Sequence, residues 1–269
     1  MQKIGLLAGV GRLPVDFARA ARGMGFSVTA IAVVPGVDSE LAQTADSYFT
    51  ISAGELDTVI RTLQEQQISQ VTMIGKVTKE LLFGGAVTLD NRMKKLLAAL
   101  PNHSDDTIML ALVKEMAVAG IGVLDQTALI RRLMPAPGVL TKRQPTPDEE
   151  ADIRFGFTMA KEIGRLDIGQ TVVVKNKAVM AVEAIEGTDA CIARGCLLGR
   201  GGVTVAKAAK PGQDVRFDMP AVGPDTLIAM IAGGAAALVM EAGRTLLVDR
   251  DTVIRLADEH NITIVAMVE

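Results

Sequence analysis

Residues 211–226, PGQDVRFDMPAVGPDT, gather three carboxylates, Asp214, Asp218 and Asp225, and one guanidinium, Arg216. Proline and glycine punctuate the segment, so much of it is not ordinary helix. The uncharged, Ala/Gly-rich run that follows, 227–240, reads as a buried helix. Asp225, with Thr226 beside it, therefore stands in or just before a first helical turn, where backbone N–H groups lack partners. A carboxylate there serves as a cap, as a dipole partner, or as a ligand for a divalent cation holding a phosphate. A second acidic group, Glu183, Glu186 and Asp189, with Gly187 and Thr188, falls at a strand-to-helix junction. That layout suits a metal–phosphate site and equally a capping turn. Lys207 and Lys210 lead into the first segment. No Ser-His-Asp set and no supported thiol–imidazole pair accompanies these charges. Carboxylates and cations without a strong nucleophile point to metal-assisted phosphoryl transfer to water. Magnesium takes a few carboxylates plus phosphate oxygens, neutralises charge and positions the attacking water, while Lys or Arg steadies the developing charge. The competing account is a structural salt network.

The elements that must position these residues alternate strand and helix. The run 3–8, KIGLLA, is apolar, as for a buried parallel strand. The loop Gly9-Val10-Gly11-Arg12-Leu13-Pro14 and a helical pattern at 15–22 follow, a layout that aims free N–H groups at an anion. It falls short of a dinucleotide fingerprint: Pro14 stands at the third glycine position, and the second strand, 27–34, ends at Pro35-Gly36 with no acid at its tip. A nicotinamide-dependent oxidoreductase is the rival reading built on this loop. Strands at 48–51 and 71–74 flank an amphipathic helix at 55–66 with Leu56, Val59, Ile60 and Leu63 on one face. Lys76, at the C-terminal end of 71–74, is a candidate phosphate contact or a solvated lysine.

The stretch 81–87, LLFGGAV, is apolar and broken by glycine, and 92–100 reads as a helix with Met93, Leu96 and Leu97 opposite Lys94 and Lys95. This is core plus surface, or an apolar lip with a basic flank suited to an acyl chain. One of Ser104, Asp105 and Asp106 caps a helix at 107–119, and a strand at 122–124 and a helix at 127–133 follow. Four prolines, a glycine and a basic pair in 134–147 mark the domain boundary. Beyond it come a helix at 148–163 and two strands in 170–184 around Asn176-Lys177, a hairpin signal. A helix from about 190, an apolar run at 203–209, a short run at 245–248, a helix at 251–260 and a strand at 262–268 complete the pattern. The fold class is α/β. A Rossmann-like N-terminal domain with a mostly parallel sheet (1–133) and a linker (134–147) precede a smaller mixed-sheet α/β domain (148–269) that carries the catalytic groups.

Composition narrows the partners. At 269 residues the chain suits roughly two domains. Hydrophobic content of 49% against 22% charged is globular, and the net charge of −3 with no basic arm gives no bulk attraction to nucleic acid. Aromatics are 3% with no Trp, so base-stacking platforms are scarce. Cys191 and Cys196 read as buried small hydrophobes in a reducing cytosol, since no second pair or adjacent His suggests zinc. The start of the chain enters a strand without a leader's long apolar core, and the longest uncharged stretch is short for a membrane span. A cytoplasmic protein able to touch a membrane surface is expected.

Several longer segments occur in combination: KIGLLAGVGRLP at 3–14, GKV at 75–77, DD at 105–106, AKEIGRLDIGQ at 160–170, AVEAIEGTDA at 181–190, AKAAKPGQDVRFDMPAVGPDT at 206–226 and EAGRTLLVDRD at 241–251. In them the chain resembles, over nearly its whole length, the UDP-2,3-diacylglucosamine pyrophosphatases of the LpxI type, which act in bacterial lipid A synthesis. Lys76 departs from the polar residues other members carry there. The resemblance implies hydrolysis of the UDP-2,3-diacylglucosamine diphosphate to UMP and 2,3-diacylglucosamine 1-phosphate (lipid X), with magnesium as cofactor. It implies two α/β domains with the substrate between them, and an essential aspartate at Asp225. On that footing Asp225, Asp214 and Arg216 are the catalytic candidates, and Asp225 and Asp218 the metal ligands. Gly9, Gly11, Leu13, Lys76, Asp106, Glu186, Thr188, Asp189, Lys207, Lys210 and Thr226 are the substrate contacts. A lipid product fits peripheral contact with the inner membrane, and the chain leaves room for a homodimer. A non-catalytic nucleotide-sugar sensor on the same fold is the other rival.

Overall fold

Short apolar runs separated by amphipathic helices dictate buried parallel strands. The computed structural model describes residues 2–77, 87–214 and 216–268, with the side chains at 105, 106 and 132 excepted. The chain divides into two units, Met1–Ile130 with Val215–Phe217, and Arg131–Asp214 with Asp218–Glu269.

In the first unit, β1 (Lys3–Ala8), β2 (Ser27–Ala32), β3 (Ser47–Thr50), β4 (Gln70–Ile74) and β5 (Gly122–Val123) form one sheet. Its order is β3-β2-β1-β4-β5 and every neighbouring pair is parallel. β1, the central strand, is buried from Ile4 to Ala8, as a strand covered on both faces must be. The helices are α1 (Leu13–Gly23), α2 (Leu41–Thr44), α3 (Leu56–Glu65), α4 (Asn91–Ala98) and α5 (Asp105–Val118). The apolar stripe of α3, Leu56, Val59, Ile60 and Leu63, packs with Leu7, Ile31 and Val71 of the sheet and with Met93, Leu96 and Leu97 of α4. Asp90 caps α4, accepting from the Met93 N–H at 2.7 Å, and Ser104 caps α5, accepting from the Thr107 N–H at 3.3 Å. The glycine-broken run 81–87 falls outside the described residues apart from Val87.

The helix expected at 127–133 is not an α-helix. Turns there end in a single 3-10 turn, Arg131–Leu133. The Asp125 carboxylate accepts from both the N–H and the hydroxyl of Thr127, each at 2.7 Å. This local side-chain pairing competes with helical bonding, and Pro135 and Pro137 follow closely.

The second unit contains β6 (Gly138–Val139), β7 (Thr171–Lys175), β8 (Ala178–Val182), β9 (Thr204–Lys207), β10 (Ala221–Val222), β11 (Ala237–Glu241), β12 (Leu246–Leu247) and β13 (Thr263–Met267). Six of these form a mixed sheet in the order β6-β13-β11-β9-β7-β8. β9, β11 and β13 are mutually parallel, while β6, β7 and β8 run antiparallel to their neighbours. β10 and β12 make a separate parallel pair. α6 (Pro147–Arg165), α7 (Thr188–Gly199), α8 (Pro224–Gly233) and α9 (Arg250–Glu259) complete the unit. Residues 134–147, read as a linker, contribute β6 to this sheet. A two-residue edge strand tolerates surrounding prolines because it needs few ladder bonds.

The Asn176-Lys177 turn has φ of 52° and 57°, the left-handed pair that a two-residue hairpin needs. The buried Asp152 of α6 accepts from both backbone N–H groups, at 2.8 and 2.6 Å. Cys191 and Cys196 are free, buried thiols of α7, and burial pushes Cys191 up to about 12. The expected helix 227–240 is in fact two elements. α8 stops at Gly233, Gly234 turns the chain at φ +69°, and β11 begins at Ala237. An uncharged run reads alike as buried helix or buried strand, and only the glycine pair separates them.

Candidate active site

The parallel strands of the second unit bring their C-terminal ends to one edge: β9 ends at Lys207 and β11 at Glu241. β7 runs the other way, so it begins there, with Thr171 in register with Lys207, and β8 ends there just before Glu183. α7 also starts at this edge, with Thr188 as its first residue, while α8 starts shortly after β10.

Lys207 is buried at 5% exposure. Its Nζ donates to the Thr188 hydroxyl at 3.1 Å and to the Ala221 carbonyl at 2.9 Å. The Thr188 hydroxyl in turn donates to Glu183 Oε1 at 2.9 Å. Burial pulls the Lys207 pKa below its ordinary value, opposed by the charges of Glu183 and Asp189. One ammonium thus sits between the start of α7 and the carbonyl two residues before the N-cap of α8. The partial positive charge of both helix starts favours an anion close by.

Asp225 lies in the first turn of α8 and is solvent-exposed, with no protein hydrogen bond or ion pair among the described residues. Thr226, next to it, is buried. Asp189 holds the corresponding first-turn place on α7 and is exposed. In the loop before α8, Asp218 accepts from the Gln213 amide at 3.1 Å and its N–H donates to the Asp214 carbonyl at 2.9 Å. Arg216 stacks 6.0 Å from the Phe217 ring centre. Lys210 Nζ donates to Asp167 at 2.8 Å. Glu186 turns to Arg194, and hydrogen bonds from its own N–H, from Arg194 and from the Ala184 N–H hold it below the usual carboxylate range.

Sequence reasoning passed over a second buried ion group at this edge. Glu241, 5% exposed, accepts from Lys161 at 2.9 Å and from the Ala209 N–H at 2.8 Å. Arg244 lies 3.7 Å from Glu241 and also donates to the Lys210 carbonyl at 3.4 Å. Glu241 thereby holds the backbone that leaves β9 toward the acidic loop. Its signals in the sequence were a carboxylate closing the uncharged run 227–240 and its place at the head of the segment 241–251.

In the first unit the glycine loop is built on close backbone approach. Gly9 donates to the Ile74 carbonyl at 2.8 Å, and Val10 and Lys76 exchange backbone bonds at 2.9 and 2.8 Å. A Cβ on Gly9 would lie 2.6 Å from the Lys76 carbonyl oxygen. The Lys76 backbone is thus part of the loop's frame, and its side chain is exposed. Gly11 takes φ +114° and Leu13 opens α1. Arg12, at the N-cap, pairs with Asp38 at 3.0 Å and with Glu40. The Glu40 N–H bond first, and Arg12 next, hold Asp38 below its usual pKa, while Arg12 is the main cause for Glu40. Asp106 falls in the first turn of α5, its side chain outside the described residues.

The LpxI N-terminal domain family matches residues 3–133, and the LpxI C-terminal domain family matches 136–265. The UDP-2,3-diacylglucosamine pyrophosphatase LpxI of Caulobacter vibrioides is 34% identical over 273 residues, covering 96% of this chain and 95% of its own. The chain belongs to the LpxI family. A shorter similarity, 34% over 133 residues, covers 47% of this chain and 23% of the bifunctional purine biosynthesis protein PurH of Mesorhizobium japonicum. Among solved structures, the biotin carboxylase domain of a single-chain bacterial carboxylase is 16% identical with a TM-score of 0.30, over 56% of this chain and 33% of that one. A likeness that slight assigns neither fold nor function.

For this LpxI-family chain, the arrangement offers one buried cation at paired helix starts and an exposed carboxylate in the first turn of each helix, Asp189 and Asp225, without a hydrogen bond or ion pair among the described residues. No group of three or more His, Cys, Asp or Glu side chains converges among the described residues. Magnesium commonly uses one or two protein carboxylates and completes its shell with water and phosphate oxygens, so a free Asp225 suits it as donor. No described helix is long and apolar enough to cross a membrane.

Proposed function

We propose that this chain hydrolyses the diphosphate of UDP-2,3-diacylglucosamine, releasing UMP and 2,3-diacylglucosamine 1-phosphate. The observation that carries this reading is the end-to-end relation to the Caulobacter LpxI pyrophosphatase, 34% identity over 96% of the chain. The chemistry at the edge of β9 supports it. Lys207 donates to a phosphoryl oxygen, and the starts of α7 and α8 favour the same anion. Asp225 and Asp218 would hold magnesium, which would supply charge neutralisation on the diphosphate and an acidified water. Asp214, Arg216 and Lys210 lie on the same loop and contact the phosphates or sugar. Within the first unit, Gly9, Gly11 and Leu13 frame the free N–H groups at the start of α1, which favour an anion such as a nucleotide phosphate. The acyl chains and product are handled at the inner membrane surface, in keeping with exposed Leu197 and Leu198 on α7 and Ile228 on α8.

The test is UMP release from UDP-2,3-diacylglucosamine in detergent micelles, with magnesium and with chelator. Release that needs magnesium supports both parts of the reading. Release in chelator removes the metal from it, and no release in either condition refutes the activity. Asp225→Ala is expected to abolish turnover with the melting temperature unchanged, and full activity in that variant would reject Asp225 as ligand.

A further inference from the structure

The ammonium of Lys207 has three N–H bonds, and the protein uses two of them, toward Thr188 and Ala221. Among the described residues the third has no partner. An ammonium 5% exposed with an unused donor is costly unless something completes it. On its own face of the sheet Val173 and Val205 are fully buried and apolar, while its register partner Thr171 and the Thr188–Glu183 pair are polar, so the ammonium is held by a small polar group set into an apolar surround.

The hydrogen bonds around it have a fixed direction. Glu183 as a carboxylate only accepts, so the Thr188 hydroxyl spends its proton there, at 2.9 Å, and offers Lys207 a lone pair. The Thr171 hydroxyl stands 3.4 Å from the same oxygen. Glu183 itself is pinned. Its N–H donates to the Thr171 carbonyl at 2.9 Å, and its second oxygen receives the Gln170 N–H at 3.4 Å. Gly169 is pressed on its backbone, where an added Cβ would lie 2.1 Å from the Glu183 carbonyl oxygen. The carboxylate therefore sets the hydroxyl rotor, and the rotor sets the ammonium.

We propose that Glu183 and the Thr188 hydroxyl are positioning residues for the hydrolysis, orienting Lys207 so that its remaining N–H meets a phosphoryl oxygen of the nucleotide–lipid diphosphate. This rests on the pyrophosphatase reading above. It adds that Glu183 acts on the reaction only through Lys207 and is not a metal ligand. The charged groups that act on Lys207 are Glu183 and Asp189. Loss of the Glu183 charge leaves burial less opposed, so Lys207 loses its proton at lower pH.

The experiment measures UMP release by the full chain under saturating magnesium for wild type, Glu183→Gln, Thr188→Val, Thr188→Ser, Lys207→Met and the double variant Glu183→Gln/Lys207→Met. Glu183→Gln and Thr188→Val are expected to lower kcat about 10- to 100-fold with KM moving far less, the scale of one charge-assisted hydrogen bond. Thr188→Ser, which restores the hydroxyl, recovers most of the loss, and the alkaline limb of the Glu183→Gln pH profile moves to lower pH. In the Lys207→Met background, Glu183→Gln costs no more than about twofold further, because the residue it acts through is gone. A wild-type kcat in both Glu183→Gln and Thr188→Val, or a full additional loss in the double variant, overturns the relay. Should Glu183→Gln fail to fold, Thr188→Val against Thr188→Ser decides alone. A wild-type chain that releases no UMP refutes the activity, and the relay falls with it.

Discussion

Replacing Gly9 with alanine tests the glycine loop most directly. The added Cβ would sit 2.6 Å from the Lys76 carbonyl oxygen and 2.7 Å from the Gly75 carbonyl carbon, both backbone atoms with no rotamer to move. Ordinary contact begins near 3.4 Å, so the two loops must part by about 0.8 Å. That separation breaks the paired bonds between Val10 and Lys76, now 2.9 and 2.8 Å. Each such bond is worth about 1 kcal/mol net, and overpacking costs about 1–3 kcal/mol. A loss of about 3 kcal/mol is expected, near 10 °C in melting temperature for a unit of this size. The chain has no Trp and one Tyr, Tyr48, which lies in β3 of the first unit. Tyrosine fluorescence in a urea titration therefore follows that unit without interference from the other. Gly23→Ala is the matched control, since its Cβ meets nothing within 4 Å at the end of α1, and it should stabilise by about 0.5 kcal/mol. A Gly9→Ala transition within about 0.5 kcal/mol of wild type would refute the close approach of the two loops.

Thr146→Ala removes a capping box in which Thr146 and Glu149 exchange bonds at 3.3 and 2.8 Å, and should cost the second unit about 1 kcal/mol by circular dichroism melts. Gly195→Ala drives a Cβ to 2.4 Å from the Val173 Cβ and should cost that unit about 1–3 kcal/mol in the same assay, against no effect if α7 rides higher on the sheet. Asp38 and Glu40 are held below ordinary carboxylate pKa values, so their contribution is present above those values and lost as pH falls through the depressed ones. Glu40→Gln should flatten the acid-side fall in first-unit stability read by Tyr48, and an unchanged slope would remove Arg12 as its cause.

The parallel sheet of the first unit was legible because its strands are short, apolar and bounded by glycine or polar turns, and α3 shows its stripe at helical spacing. The hairpin at Asn176-Lys177 was legible from turn chemistry. The split of 227–240 was not, because burial on all sides erases the period that distinguishes helix from strand. At the candidate site, the acids and lysines could be named from local spacing, but their partners could not. Glu186, in the turn before α7, pairs with Arg194 of that helix, while Lys161 reaches Glu241 across eighty residues of sequence. Such pairings depend on which strands become neighbours, which local pattern does not encode. The Lys207–Thr188–Glu183 chain is of that kind, requiring β9 beside β7 and α7 starting over their shared edge.

The strand β13 sits between β6 and β11, so the sheet of the second unit joins the earliest of its strands to the latest. A ribosome must therefore deliver residue 267 before that sheet can close, whereas every strand of the first sheet has emerged by residue 123. During translation the first sheet can form early, and the β9–β11 edge that would hold Lys207 and Glu241 stays without its neighbouring strand until the last moments of synthesis. Nascent chains stalled short of β13 should bind chaperones through the unpaired side of β11.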